Sequence, residues 1–503
     1  MRKIINYTVN NKTKNVYRES FEVPCGTETI YIAVDLPEEC RYMAFIILED
    51  SKRQVRLQKL LGYGEQKLAV GNGGTNTSIG GVPGANIPGQ WTLILGMFTE
   101  YVQQKLGGQE AEIKIILTDE AMEVTEPVGE WIWTKEGQCV ISNEKYNWEK
   151  VYSSKSRWYK GDFHAHTTLS DGKDTTVRVT EKAKQMGMDF YVPTEHNLLH
   201  TGWCSADLCI LPGLEVTTDK GHFNLFGVQE IPEKLREVVA CGGQDVVEQY
   251  VREMMQEART KGWLVSLNHP FLTIWSWRYN KVRIDEIDCV EIINDPTYPD
   301  SLKSNERAIH FVDALWQDGH RVYAVGGSDS HNQIDEYYEG ADSPSIAGDP
   351  GTYVYCNSLT PAELMSHVRK GHMCITRFCR IEPSIRVEGA DYLPGDEIPG
   401  EVGKEELLNY HVKITGLQEE PFLFLIVNGR VIPANPVHKA DGSFETDMTL
   451  SLDFKEWTWI RMEVRKADGT FLGYVNPVYC GRKEPCLHTF GEIIKSMGEE
   501  QND

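Results

Sequence analysis

Between residues 161 and 331, short apolar runs repeatedly end in a histidine or an acid. Gly161-Asp162-Phe163 leads into His164-Ala165-His166, and Asp171 follows shortly after. Phe190-Tyr191-Val192-Pro193-Thr194 is followed by Glu195-His196-Asn197, and Cys209-Ile210-Leu211-Pro212-Gly213-Leu214 by Glu215. His222 opens the run at 223–226, Leu264-Val265-Ser266-Leu267-Asn268 meets His269-Pro270, and the run at 322–328 meets Asp329-Ser330-His331. Nine of the 14 histidines fall in this third of the chain. Two histidines at i and i+2 of an extended chain point to one side, and neutral imidazole is the commonest nitrogen ligand of zinc and its neighbours. A lone His-x-His is an ordinary polar strand end. Many such ends converging would instead crowd acids and imidazoles together, with desolvation and repulsion that metal ions relieve.

The surrounding pattern says where such ends converge. From 158 to 380, apolar runs alternate with helical periodicity at 175–186, 245–260, 304–317 and 361–370. Gly187, Gly262, Gly319 and Gly371 stand just past each window, where helices favour a C′ glycine. Strand–helix alternation predicts a parallel α/β sheet and, at this length, a barrel, whose functional residues gather where strands end. Residues 1–157 read as a β-sandwich of short strands, and 381–481 as a second, immunoglobulin-like one with an Asn428-Gly429 hairpin turn. The glycine-rich stretch 71–89 lacks the Gly-Lys-Ser/Thr ending of a phosphate loop and reads as an irregular connection. Residues 482–503 read as a polar tail.

Composition narrows the function classes. The net charge of −23 disfavours a stable nucleic-acid partner, because the surface repels polyanions. The 12 cysteines form no Cys-x-x-Cys pair and are expected as free thiols. No long apolar segment follows Met1-Arg2-Lys3, so no membrane association and a cytoplasmic location are expected.

The motif series His164-x-His166 with Asp171, Glu195-His196-Asn197, Gly213-Leu214-Glu215, Gly221-His222, Asn268-His269-Pro270 and Gly327-Ser328-Asp329-Ser330-His331 resembles the polymerase and histidinol phosphatase (PHP) superfamily. The flanking β regions and Trp91-Thr92-Leu93-Ile94-Leu95-Gly96 resemble its CehA/McbA-type branch. The resemblance implies a distorted (β/α)7 barrel, flanked by the two sandwiches, that binds two or three divalent ions (Zn, Mn or Fe). It implies that His164, His166, Glu215 and Asp329 hold one ion, that Glu215 bridges to a second completed by His222 and His269, and that Asp171, His196 and His331 hold a third. Some members carry a histidine where this chain has Asp171; a carboxylate there suits manganese or iron as well as zinc.

The expected activity is hydrolysis of a small phosphate mono- or diester, with a metal-bridging hydroxide as nucleophile and Asp329 taking or relaying a proton. Arg377 is the first choice for a phosphate clamp, ahead of Arg278, Lys281 and Arg283. Trp275 and Trp277 are candidates to stack on a base or sugar, Glu195 is expected to support His196, and Glu291 to face the site. A carbamate or carboxylic ester hydrolase is the alternative, and a metal-bound scaffold a third reading. A closed structural zinc site needs only four ligands, whereas nine candidates are present here.

Overall fold

The computed structural model describes residues 1–62, 66–124, 126–204, 207–241, 243–333, 336–341 and 343–498. The chain begins with two four-stranded antiparallel sheets. Arg2–Val9, Ala111–Thr118, Ile30–Asp35 and Gln66–Val70 form one; Val16–Val23, Gly89–Met97, Ala44–Glu49 and Val55–Leu60 form the other. Alternate residues turn inward between the sheets: Ile30, Ile32 and Val34 from one, and Trp91, Leu93 and Leu95 from the other, are all fully buried.

The central part is a mixed α/β arrangement with many strands and few helices. Arg157–Ala165 pairs in parallel with Phe190–Pro193 across the helix Thr176–Gln185. Leu264–Leu267, Cys289–Asn294 and Tyr323–Gly327 are also parallel neighbours. The four expected helices form at Thr176–Gln185, Val246–Lys261, Ser301–Asp318 and Pro361–Arg369, and Gly187, Gly262, Gly319 and Gly371 all adopt positive φ.

The expectation of a parallel sheet is corrected at two places. Gly213–Thr218 and Gly221–Phe226 form a tight antiparallel hairpin, and the latter strand also runs antiparallel to Leu264–Leu267. Gly351–Cys356 is antiparallel to both its neighbours. Only two residues separate the hairpin strands, too few for a crossover, so the chain must reverse. No continuous ladder closes a barrel among the described residues. The two central sheets touch instead through isolated parallel bridges, Ala165 to Ser330 and His196 to Glu215. Both bridges involve ligand candidates or their immediate neighbours.

The C-terminal strands extend a central sheet. Nine strands run in order from Cys209–Ile210 through Phe190–Pro193, Arg157–Ala165, Gly351–Cys356, Met373–Thr376, Phe471–Cys480, Thr458–Arg465 and Phe422–Val427 to Arg430–Ala434. A five-stranded sheet containing Arg380–Val387, Glu405–Thr415 and Phe444–Asp453 packs on its far half around Ile381, Leu408, Leu425 and Met462. The Asn428-Gly429 turn has φ of 48° and 79°, as a type I′ hairpin requires.

Within 482–503, expected as a polar tail, Phe490–Ser496 forms a helix; residues 499–503 lie outside the described residues. Thr489 and Glu492 make its capping box, and Phe490 packs on Phe271, Trp277 and Phe311 behind the His269 loop. Phe490→Ala is expected to cost about 3 kcal/mol, read as a lower urea midpoint, because it opens a cavity among three aromatic rings. An unchanged midpoint would show that the helix does not dock.

Candidate metal centre

All nine ligand candidates meet at one end of the central sheets. His164 and His166 end the strand Arg157–Ala165 or follow it directly. Asp171 is returned toward them by a tight turn in which Thr168 N–H donates to Asp174 and Gly172 N–H to Thr167. A Cβ on Gly172 would lie 2.5 Å from the His166 carbonyl, so only glycine lets this turn close. Glu195, buried beneath the loop, accepts from Thr167 N–H (3.1 Å), Thr167 Oγ1 (2.6 Å) and Ser170 N–H (3.2 Å), and meets His200 Nε2 at 2.7 Å. Glu195 therefore anchors the loop that carries Asp171; the support expected for His196 comes instead from Thr217 Oγ1, 2.6 Å from His196 Nδ1.

Glu215 stands at the centre and is fully buried. Its Oε1 lies 3.3 Å from His164 Nε2, 3.1 Å from His222 Nδ1 and 3.7 Å from His269 Nε2; its Oε2 lies 2.7 Å from His196 Nδ1 and 3.6 Å from His166 Nε2. Asp329 Oδ1 is 3.3 Å from His164 Nε2, 3.0 Å from His166 Nε2 and 3.7 Å from His331 Nδ1. Asp171 lies 3.3 Å from both His196 Nε2 and His331 Nε2. Two ligands bound at 2.0–2.2 Å to one ion stand about 3.0–3.5 Å apart, so many of these separations suit a shared cation. The donor atoms fall into four overlapping groups: His166, Asp171, His196 and His331; His164, His166 and Asp329; His164, Glu215 and His269; and His196, Glu215 and His222. His222 and His269 both face Glu215 Oε1, at 3.1 and 3.7 Å, while His222 also groups with His196 and His269 with His164.

The electrostatics call for positive charge. Burial pushes the Glu215 carboxyl up, yet His164, His196 and His222 hold it well below the ordinary carboxylate range. Asp329, beside His164, His166 and His331, and Asp171, beside His196 and His331, behave the same way. Burial and the neighbouring His331 and His196 hold His166 down to about 4, and burial also lowers His222. Against burial, Asp329, Glu291 and Glu215 push His164 up, Asp171 and Glu215 push His196 up, and Asp171 pushes His331 up to about 9, so the three ionised carboxylates face both charged and neutral imidazoles. His164 Nε2 and Glu215 Oε2 are buried without a hydrogen bond of acceptable geometry. Such orphaned atoms are costly unless a cation meets them, so the residue set fits divalent metal.

A further layer orients these ligands. Glu291 Oε1 meets His164 Nδ1 at 2.9 Å, and its Oε2 accepts from His269 N–H at 2.8 Å. Asn268 Nδ2 donates to Glu215 Oε1 (2.8 Å) and Asn294 Nδ2 to Asp329 Oδ2 (3.2 Å). Asp162 accepts the backbone N–H groups of His164, Ser328 and Gly348. Fixing the second nitrogen or oxygen of a ligand in this way is the common design of metal sites. The sequence reading overlooked Asp162, Thr217, Asn268 and Asn294, although all four lie within two residues of a proposed ligand or of Glu291-Ile292-Ile293. Asn197, His269 and Asp329 hold positive φ, at 57°, 29° and 48°, a strain that tends to collect at functional sites.

The cluster opens into a cavity of about 1160 Å³, whose walls include Asp171, His196, His222, His269, Asp329 and His331. Trp275 lies at its wall, whereas Trp277 is buried against Phe223, Tyr279 and Phe490. The expected phosphate clamps are elsewhere. Arg377 is buried in a bidentate pair with Asp349 (2.8 and 2.9 Å) and does not line the cavity. Arg278 donates to the Asp219 carbonyl, Arg283 pairs with Asp285, and Lys281 sits on an outer face with Glu248 and Arg252. A buried guanidinium with a carboxylate in hydrogen-bond reach satisfies itself there, which is why Arg377 turns away from the cavity.

No protein-family model matches this chain, and no curated protein matches it. Among solved structures it is similar to a two-domain protein from Bacteroides vulgatus containing a predicted PHP-like metal-dependent phosphoesterase, at 15% identity and a TM-score of 0.33, over 66% of this chain and 99% of that one. So distant a likeness leaves the reading to the geometry of this chain.

Arg377→Ala is expected to destabilise the fold by about 3 kcal/mol in urea unfolding, because Asp349 would stay buried without its partner. The same variant should keep its KM for a phosphate ester within twofold. A tenfold KM rise at unchanged stability would return Arg377 to the substrate site.

Proposed function

We propose that this chain is a metal-dependent hydrolase of the PHP type, acting on a small phosphate mono- or diester with two or three divalent ions (Zn, Mn or Fe). The observation that carries the reading is the buried Glu215 carboxylate, placed among five imidazoles at the floor of an open cavity, with orphaned donor atoms beside it. We read the strands carrying or preceding His164, Glu195, Glu215, His222, His269, Glu291 and Asp329 as the distorted seven-stranded barrel of that superfamily, open where only the two isolated bridges join it. The N-terminal sandwich that helps wall the cavity is the feature that supports the CehA/McbA-type resemblance.

Bound there, the ions would supply Lewis-acid charge to the phosphoryl oxygens and acidify a water. Glu215 holds the centre together from below, fixed by Asn268. Glu291 keeps His164 in the ring orientation that turns Nε2 toward the cluster. Asp329 lines the cavity with Oδ2 held by Asn294, the position from which it takes the proton that the attacking water loses. The water oxygen bonds to phosphorus, the phosphorus–oxygen bond to the alcohol breaks, and the leaving alkoxide receives the proton.

The carbamate or carboxylic ester reading is favoured by one observation. Of the cations of the cavity wall, Arg18 and Arg236 share Glu49 at 3.9 and 3.7 Å and Lys261 pairs with Glu230 at 2.8 Å, and none is hydrogen-bonded in place beside the carboxylate cluster as a phosphate clamp would be. Metal-loaded protein is expected to release nitrophenolate from p-nitrophenyl phosphate or bis-p-nitrophenyl phosphate; turnover of p-nitrophenyl acetate alone would move the assignment to the carboxyl ester class. Glu215→Gln should abolish turnover and lower bound metal by at least one equivalent, measured by elemental analysis. Unchanged metal at a near-normal rate would refute the assignment of Glu215.

A further inference from the structure

The cavity is far larger than a phosphate needs, and its size comes from the N-terminal sandwich. On the strand Ala44–Glu49, Ala44, Ile46 and Leu48 turn into the sandwich core. Phe45 and Ile47 turn outward, where an antiparallel sheet facing water would carry polar residues, and they line the cavity with Ile94. The helix Leu235–Cys241 supplies the opposite wall through Leu235 and Val239. The groove between them is continuous with His196, His222 and Asp329.

Two details show that the groove is kept open and kept free of surplus positive charge. Phe45 sits opposite Gly96 in the sheet register, and a Cβ on Gly96 would fall 2.1 Å from the Phe45 ring. The ring therefore lies against the sheet instead of crossing the groove. The three wall cations are outnumbered by acids outside the ligand cluster: Asp219, Glu230, Glu233, Glu237 and Asp295. A substrate with further phosphates or carboxylates would be repelled there, whereas an uncharged apolar chain would displace water from apolar walls. Pockets of roughly 300–1000 Å³ already enclose drug-sized ligands, so this one has room for a long group.

We propose that the groove takes the apolar group of the substrate, which is a phosphate ester of an extended apolar alcohol, and that Phe45 and Ile47 set the accepted length. This rests on the phosphoesterase reading above. An apolar chain is favoured over the further phosphates of a nucleotide, which would meet the wall acids Asp219, Glu230, Glu233 and Glu237.

The test is a series of p-nitrophenyl alkyl phosphates (methyl, butyl, octyl) with the metal-loaded full chain, together with calorimetric binding of methylphosphonate and octylphosphonate. The expected result is a kcat/KM that rises roughly fourfold per buried methylene, carried by KM, until the groove is filled. In Ile47→Asp the octyl-to-methyl ratio should fall at least tenfold. Gly96→Ala should push the Phe45 ring into the groove and cut the octyl-to-butyl ratio, and Phe45→Ala in that background should restore it. A flat series with clear turnover would overturn the inference while leaving the hydrolase reading intact; a dimer in sedimentation would then assign the groove to a second copy. No turnover, with octylphosphonate bound at least a hundredfold more tightly than methylphosphonate, would refute the phosphoesterase reading and retain the groove. Equal binding of the two phosphonates would overturn the inference whatever the rates.

Discussion

A single buried carboxylate organises the centre. Glu215 is ionised where water cannot reach it, and five histidines from four different segments stand within 3.7 Å of its oxygens. An isolated buried carboxylate would cost far more than the marginal stability of a domain, so the surroundings must return that energy. Imidazoles do so in part: against burial, Asp329, Glu291 and Glu215 push His164 up and Asp171 and Glu215 push His196 up, whereas burial and neighbouring histidines drive His166 and His222 toward the neutral form. A divalent cation would complete the compensation and leave the imidazoles neutral, as ligands must be. The orphaned Glu215 Oε2 and His164 Nε2 lie where it would be bound.

The scaffold holds this arrangement from three directions. From below, Glu291, Asn268 and Asn294 fix His164, Glu215 and Asp329. From the side, Asp162 ties the backbone of the His164 strand to the Ser328 and Gly348 segments. From above, the N-terminal sandwich clamps the loop that carries Asp171. Leu60 N–H bonds the Leu169 carbonyl, Glu126 accepts from Thr168 and Thr176, and Gly80 lies against the Leu169 side chain. The sandwich thus fixes the loop that carries Asp171 and walls the cavity in front of it through one contact surface.

Much of the candidate site could be read from residue order, because its donors sit at strand ends and strand ends are marked locally. His164-Ala165-His166, Glu195-His196 and Asp329-Ser330-His331 each follow an apolar run, and the structure gathers all of them. The misreadings share a physical cause: they depend on partners far along the chain. Arg377 looked free until Asp349 was placed against it, 28 residues away. Glu195 adjoins His196 yet turns to Thr167 and Ser170, because adjacent residues at a strand end face opposite sides. The union of the C-terminal strands with the central sheet is set by pairing between Met373–Thr376 and Phe471–Cys480, about which short-range periodicity says nothing. The terminal helix was legible, since Thr489 and Glu492 spell a capping box ahead of Ile493 and Ile494, but the charge around it masked the signal.

The central claim is that Glu215 and its neighbours form one centre for several ions, not a chance gathering of polar strand ends. The most direct measurement is the metal content of the wild-type chain, saturated with zinc or manganese and dialysed, set against protein concentration. Two or three tightly held equivalents per chain are predicted. Less than one equivalent with either metal would contradict the account, because the three buried carboxylates would then have to be compensated without metal.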